Sequence, residues 1–376
     1  VPQATAGHSP NRCEAPERHD RAEGGFRAGA SQQGKDAVTV SVVITVRNDA
    51  AGCATVLETL AGQIGDGHEI IVVDGGSADG TLGVVRNVSA RNPAIRFIEA
   101  SGANISRGRN VGIEAARGWI LVLTDCGCRP DPQWLARITQ PFSEDPATEF
   151  VAGTYRIETE TLLERVVGLA TMRGQLEPFD ARMFNPSARS MAFTRDTWRR
   201  AGGFPEWLYT AEDTLFDVKM RRMGVHWKFA GEAVVCWRPR GSIQAIAKQF
   251  YLYGRGGGHT QLSRRDNLYN LRNLGLTAGA AFAAVLQPWL AILAIGLFTY
   301  FYVYAFHAKS ARIMNAVRLK RAYVLVTIVQ WTVLLSDTAG YLVGTFQRLA
   351  NPKRYRGQMA QYLSNAGHEH APECTT

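Results

Sequence analysis

The sequence predicts an α/β fold, a mostly parallel sheet covered by helices, followed by apolar segments able to enter a membrane. Three observations carry that prediction. Short, nearly continuous runs of β-branched residues alternate with helical stretches, as strands buried on both faces do. Two of these runs end on a carboxylate, Asp74 and Asp125, at the strand ends where parallel sheets bind their ligands. The hydrophobic residues, 46% of a 376-residue chain, are unevenly placed and crowd beyond Leu274.

Taken in order, residues 1–37 are polar, rich in Gly, Arg, Glu and Ser, and lack an apolar h-region. They read as a disordered leader, because such a segment buries too little surface to offset its ordering entropy. Val38 to Val46 is the first expected strand, a helix follows around Ala51 to Leu60, and Glu69 to Asp74 is the second strand. Gly75 to Thr81 is turn chemistry that opens another helix. Ile95 to Ala100 reads as a third strand, Gly108 to Ala116 as a helix, and Trp119 to Thr124 as a fourth strand running into Asp125. From Phe150 to Trp237 the pattern is mixed, with short strands and helices, the expected second half of the same domain. Apolar residues recur at helical spacing over Ile243 to Tyr253. They predict an amphipathic helix, docked on the domain or lying on a membrane surface, and ended by the run Gly254-Arg255-Gly256-Gly257-Gly258. The expected domain is therefore 38–258.

Leu274 to Phe306 carries no charge, a stretch longer than the roughly 20 residues that cross a bilayer core. Pro288 predicts a kink, and Tyr300, Phe301, Tyr302 and Tyr304 an interfacial belt. A second apolar segment, 322–346, is interrupted only by Asp337, which is costly in lipid and should face protein or water. Residues 347–376 are a basic polar tail. Lys309, Arg312, Arg318, Lys320 and Arg321 make the connecting loop basic, and both outer flanks are basic too. Two simple spans cannot put all three on one side, so one segment is expected to re-enter or to form a tight hairpin. The net charge of +9 points to a lipid surface. No nucleic-acid partner is expected, because no basic motif with interleaved aromatics is present. Six cysteines are scattered, and Cys126 and Cys128 have no second pair at zinc spacing. They read as reduced thiols of a cytosolic domain.

Five short elements follow one another at defined places: Ser41-Val42-Val43-Ile44-Thr45-Val46-Arg47-Asn48, Val73-Asp74-Gly75-Gly76-Ser77-Ala78-Asp79-Gly80-Thr81, Asn104-Ile105-Ser106-Arg107-Gly108-Arg109-Asn110-Val111-Gly112, Gly202-Gly203-Phe204, and Glu212-Asp213. Their order resembles the inverting family-2 glycosyltransferases, over about Ser41 to Gly258. The resemblance implies a GT-A fold, the Rossmann-like sheet of nucleotide-diphospho-sugar transferases. It implies donor contacts at Thr45, Arg47, Asn48, Asp74, Asp79, Asn104, Arg109, Asp125 and Arg255, with Asp74 on the base. Arg109 would match the diphosphate with its fork of donors, and Arg107 is the neighbour that could do the same. Asp125 would hold Mg2+ or Mn2+, assisted by Asp131. Asp213 would be the general base, with Glu212 as its stand-in.

The sequence departs from the family at four places. Arg47 stands where an aromatic is commoner, Gly75 replaces the second Asp of Val-Asp-Asp-Gly, and Gly127 takes the second place of Asp-x-Asp. Gln249, Tyr253 and Arg255 lack the Trp of the Gln-x-x-Arg-Trp element of processive members, which favours transfer of one sugar. The expected partners are a nucleotide sugar, membrane lipid, and a saccharide or lipid-linked acceptor. The expected place is a bacterial inner membrane, with the catalytic domain in the cytosol. The alternatives are a non-catalytic nucleotide-sugar-binding subunit of a membrane assembly, and a nucleotidyltransferase, which would lack the two late elements.

Overall fold

A computed structural model describes residues 40–172, 184–318 and 322–364. The expected leader, Lys320, Arg321 and the end of the basic tail lie outside the described residues. The first half of the domain alternates strictly: β1 (Val40–Val46), α1 (Ala50–Ala61), β2 (Glu69–Asp74), α2 (Thr81–Arg91), β3 (Ile95–Glu99), α3 (Ile105–Ala115) and β4 (Ile120–Asp125). A second half follows with β5 (Cys128–Pro130), α4 (Trp134–Glu144), β6 (Phe150–Ile157), α5 (Leu162–Thr171), β7 (Met191–Thr194), α6 (Arg195–Ala201), α7 (Glu212–Arg222) and β8 (Trp227–Trp237). All belong to one 8-stranded sheet of order β3-β2-β1-β4-β7-β6-β8-β5. β1 to β4 are parallel, whereas β7 runs antiparallel to both β4 and β6, and β5 antiparallel to β8. The predicted α/β class holds, with a parallel first half and a mixed second half.

Side-chain alternation explains why these runs are strands. Val40, Val42, Ile44 and Val46 face Cys53, Val56, Leu57 and Leu60 of α1 and Trp134 and Ile138 of α4. Val43, Ile71, Val73, Leu121 and Leu123 face the opposite way, onto Ile113 of α3, Phe204, and Phe216 and Met220 of α7. Each fully buried aliphatic contributes about 1.5–3 kcal/mol. That packing fixes the strand ends in register, with Val46 beside Asp74 and Thr45 beside Asp125. The two carboxylates thus emerge on one edge of the sheet.

The opposite edge is closed by a polar knot. Glu69, at the start of β2, accepts from the Ser41 hydroxyl (2.8 Å), the Arg117 amide (2.6 Å) and Arg96 Nη1 (2.8 Å). The Gly118 amide in turn donates to Ser41 Oγ at 2.8 Å.

The remaining helices are α8 (Ile243–Thr260), α9 (Arg264–Leu286), α10 (Ala291–Phe298), α11 (Ala305–Val317), α12 (Tyr323–Ala350) and α13 (Gln358–Ser364). The glycine run that was expected to end the helix after Tyr253 does not end it. α8 passes through all of it because α12 lies against that face. A Cβ on Gly254 would overlap the Asp337 carbonyl, and one on Gly258 would stand 2.6 Å from the Thr345 nitrogen. From the other side, a Cβ on Gly340 or Gly344 would overlap the carbonyls of Tyr251 and Arg255. The two helices touch backbone to backbone, and this close packing offsets the roughly 1 kcal/mol that each glycine costs a helix.

The uncharged stretch 274–306 is not one helix. α9 begins at Arg264, the chain turns at Gln287–Pro288, and α10 packs back against α9. Two helical runs, Pro288–Val317 and Tyr323–Ala350, are long and apolar enough to cross a membrane by length and composition. Val285 and Ile292, near the turn, are 78% and 79% exposed, an apolar surface left without a protein partner in the described chain. α12 differs: Val326 and Val329 are buried with Val166 and Val167 of α5, Ile246 of α8 and Ile313 of α11.

Candidate functional site

The loops after β1 and β2 form the first wall. Asp74 is buried, and its Oδ2 accepts the Gly76 and Ser77 amides at 3.0 and 2.9 Å, while the Ser77 hydroxyl donates to Oδ1. The Asn48 amide donates to Ser77 Oγ, and Asn48 Oδ1 accepts the Ala78 amide, both at 2.8 Å. Asn48 takes a left-handed backbone (φ 54°), a conformation that Asn tolerates better than most side chains. Asp79 accepts from the hydroxyl and amide of Thr81, which hold its carboxyl below the usual range. Arg47 is exposed beside these loops. A Cβ on Gly75 would stand 3.1 Å from the Ala103 carbonyl oxygen, so the position of the family's second Asp is crowded by the next loop.

α3 supplies the second wall. Asn104 caps it by accepting the Arg107 amide (2.9 Å), and its side-chain amide reaches the carbonyls of Glu206 (2.7 Å) and Leu208 (3.0 Å). Thr45 lies beneath α3, where a Cβ on Gly108 would come within 3.0 Å of its methyl group. Arg107 is exposed. Arg109 is buried: Nη1 pairs with Glu212 at 2.7 Å and Nη2 with Asp125 at 3.1 Å. Burial works against its charge, but the carboxylates of Glu212, Asp125 and Asp213 outweigh it and hold the guanidinium protonated. The Phe204 ring lies 5.4 Å below that guanidinium. Gly202 and Gly203 both sit at φ 75°, and this left-handed pair turns the chain so that Phe204 can enter. Asn110 then pins the Phe204 amide at 2.8 Å and its carbonyl at 2.9 Å.

Asp125 ends β4 with one oxygen on Arg109 and its side chain 29% exposed. Asp131 does not join it, since it is paired with Arg156 at 3.3 Å. Gly127 instead faces Asp49, whose Oδ2 would lie 3.8 Å from a Cβ at that position. Among the described residues no group of three or more His, Cys, Asp or Glu is placed to hold a metal. Asp125 is thus the one carboxylate at this strand end that could meet a hard divalent ion, whose other ligands would have to be phosphate oxygens and water. Cys53, Cys126, Cys128 and Cys236 are buried free thiols, and burial pushes Cys128 up to about 12.

The third wall is the first turn of α7. Ala211 precedes it in a left-handed conformation (φ 66°), and this turn drives Glu212 inward and leaves Asp213 half-buried at the cleft. Burial raises the Glu212 carboxyl, and the charge of Asp213 adds to that. Arg109 offsets only part, leaving Glu212 at about 7. Asp213 accepts the Thr214 amide at 2.7 Å, and the Ser187 hydroxyl lies 3.5 Å from its other oxygen. Arg255 of α8 lies over the Tyr209 ring at 5.8 Å, just before this turn.

The structure thus brings together Asp125, Arg109, Glu212 and Asp213, and separately Asn48, Asp74 and Asp79. Arg109 and Asn104 spend their polar atoms on protein partners. Sequence reasoning missed Asp49, Ser187 and Arg189. Asp49 follows directly on the recognised Arg47-Asn48 turn, which was an available signal, whereas Ser187 and Arg189 fall in a stretch without periodicity.

Residues 41–199 match the profile of Glycosyl transferase family 2. The glycosyltransferase AglE of Haloferax volcanii is 27% identical over 235 residues, covering 61% of this chain and 75% of that protein. The succinoglycan biosynthesis protein ExoA of Rhizobium meliloti is 21% identical over 274 residues, covering 68% and 81%. Among solved structures, the mannosyltransferase PcManGT from Pyrobaculum calidifontis, in complex with GDP-Man and Mn2+, aligns at a TM-score of 0.45 and 20% identity over 87% of this chain and 85% of that one. Residues 41–199 form a domain of glycosyl transferase family 2, and the chain is a glycosyltransferase.

Proposed function

We propose that the chain transfers a single sugar from a nucleotide-diphosphate donor to a hydroxyl of a membrane-presented acceptor, with inversion. The observation that carries this reading is the chain Asp125–Arg109–Glu212, which ties the end of β4 to the turn bearing Asp213. The donor's base would lie over Asp74, Asn48 and Asp79, and its diphosphate towards Asp125. The acceptor hydroxyl would approach from the Asp213 side. Asp213 removes the hydroxyl proton as the oxygen attacks the anomeric carbon, and the bond from that carbon to the diphosphate oxygen breaks on the opposite face. Arg109 acts as a spacer: it keeps two carboxylates at fixed separation, and most of the remaining acceleration comes from positioning. A Mg2+ or Mn2+ ion at Asp125 would neutralise charge on the leaving diphosphate.

The exposed apolar surface around Val285 and Ile292 supports membrane association, with the catalytic domain on the cytosolic face of a bacterial inner membrane. The hairpin turn at Pro288 suits a re-entrant segment, because the uncharged part of α9, about 13 residues long, would rise only about 20 Å. A lipid-linked saccharide or a surface polysaccharide is the acceptor class such a location offers.

Nucleoside diphosphate release tests the proposal. Full-length protein in detergent is offered a panel of nucleotide sugars and a membrane lipid extract, with and without Mg2+ or Mn2+. Release with one donor, abolished in Asp213→Asn and reduced in Asp125→Asn, is expected. Undiminished release from Asp213→Asn would sink the assignment of the base.

A further inference from the structure

Arg189 occupies a position that the reading above does not use. Its Nη1 donates to Ser187 Oγ at 3.1 Å, the hydroxyl that also reaches Asp213, and its Nη2 lies 3.5 Å from the Tyr253 hydroxyl. The guanidinium sits 4.9 Å from the Trp237 ring and 6.0 Å from Tyr155. Trp237 of β8 pairs with Cys128, the first residue of β5 and three residues after Asp125. Arg189 therefore lies where the base side and the leaving-group side of the cleft converge.

Its bonding is incomplete. Arg96, Arg109, Arg221 and Arg238 each hold a carboxylate, but no carboxylate is within ion-pair distance of Arg189 among the described residues. Its Nε is buried with no partner among the described residues. Gln249 gives its amide to the Tyr253 hydroxyl at 2.8 Å and is left with a buried Oε1 that accepts nothing from the described residues. These two polar atoms, joined through one tyrosine, leave a donor and an acceptor for a ligand to engage. A guanidinium offers a planar fork suited to phosphoryl oxygens. Flanking rings hold that fork in orientation at little entropic cost. Burial opposes the charge on Arg189, but the carboxylates of Asp125 and Asp213 nearby favour it. Arg109 is not available for the same task, because both its Nη atoms are on carboxylates.

We propose that Arg189 is the phosphoryl-binding cation of the cleft, with Gln249 Oε1 accepting a hydroxyl of the same ligand. The phosphoryl group is either the diphosphate of the donor or a phosphate borne by the acceptor. This rests on the transferase reading of the cleft, and the test separates the two.

Binding is measured by calorimetry on the full chain in detergent, with UDP and GDP each set against its nucleoside, and farnesyl phosphate set against farnesol. Arg189→Gln should weaken a phosphorylated probe about tenfold or more, the scale of a lost charge-assisted hydrogen bond, and leave the unphosphorylated partner unchanged. Arg189→Lys should fall between. Loss confined to UDP or GDP assigns the donor diphosphate, and loss confined to farnesyl phosphate assigns an acceptor phosphate. Wild-type affinity of Arg189→Gln for every phosphorylated probe overturns the proposal. If Arg189→Gln does not fold, phenylglyoxal modification of the wild type, read at Arg189 by peptide mass, decides. Inorganic pyrophosphate should slow that modification severalfold, and an unaltered rate overturns the proposal. The same protection assay stands if no nucleotide sugar is turned over, so failure of the transferase reading is seen separately.

Discussion

The two edges of the parallel half-sheet both bury charge, and they do so in opposite ways. At the amino edge Glu69 has both oxygens occupied, by Ser41, the Arg117 amide and Arg96. These partners outweigh burial and leave its carboxyl below the usual range. At the carboxyl edge Glu212 has one guanidinium that it shares with Asp125, a charged neighbour in Asp213, and a raised pKa. The same residue type is quiet where its lone pairs are filled and poised where they are not. The first arrangement supports the fold. The second stores unfavourable electrostatics next to Asp213, the base of the proposed transfer.

Four measurements would break or sharpen that contrast. Asp213→Asn should cost about 10²–10⁴ in turnover, the usual contribution of a general base, with thermal stability kept and donor binding intact. Arg109→Ala should lower unfolding free energy in denaturant titrations by about 1–3 kcal/mol, because it takes the charged donor from the buried Glu212 carboxyl, which must then take up a proton. A change below about 1 kcal/mol would mean that the arginine serves the ligand and not the fold. Glu69→Ala should cost about 1–3 kcal/mol through the buried donors it abandons, with turnover per folded molecule unchanged. The smallest signal is in pH. Glu212 has a folded pKa above its unfolded one, so its contribution is fully present near pH 4.5 and is lost as pH rises to about 7. Glu69 has a depressed folded pKa, so its contribution is present above pH 4.5 and is lost as pH falls further. Melting curves of Glu212→Gln and Glu69→Gln against wild type should therefore diverge on opposite sides of that pH.

The parts of the molecule set by local pattern could be read from the sequence. β1, β2 and β4 are written in runs such as Val42-Val43-Ile44, and their terminal carboxylates follow from where each run stops. What escaped depends on distant partners. Arg109 reads as a phosphate ligand until Glu212, 103 residues later, is folded against it. The glycines of α8 read as breakers because their local preference is against helix, and only the approach of α12 reverses their meaning. Arg189 stands in Asn185-Pro186-Ser187-Ala188-Arg189-Ser190, where no spacing announces that Trp237 and Tyr253 will enclose it.

The contact between α8 and α12 has a mechanical side. Where glycine Cα atoms press against the carbonyl oxygens of the facing helix, no layer of rotatable side chains lies between the helices to take up slack. α8 turns one face to α12 through Gly254 and Gly258, and the same helix carries Gln249 and Tyr253 at the cleft. A tilt or slide of the long apolar helix would therefore carry Gln249 and Tyr253 with it.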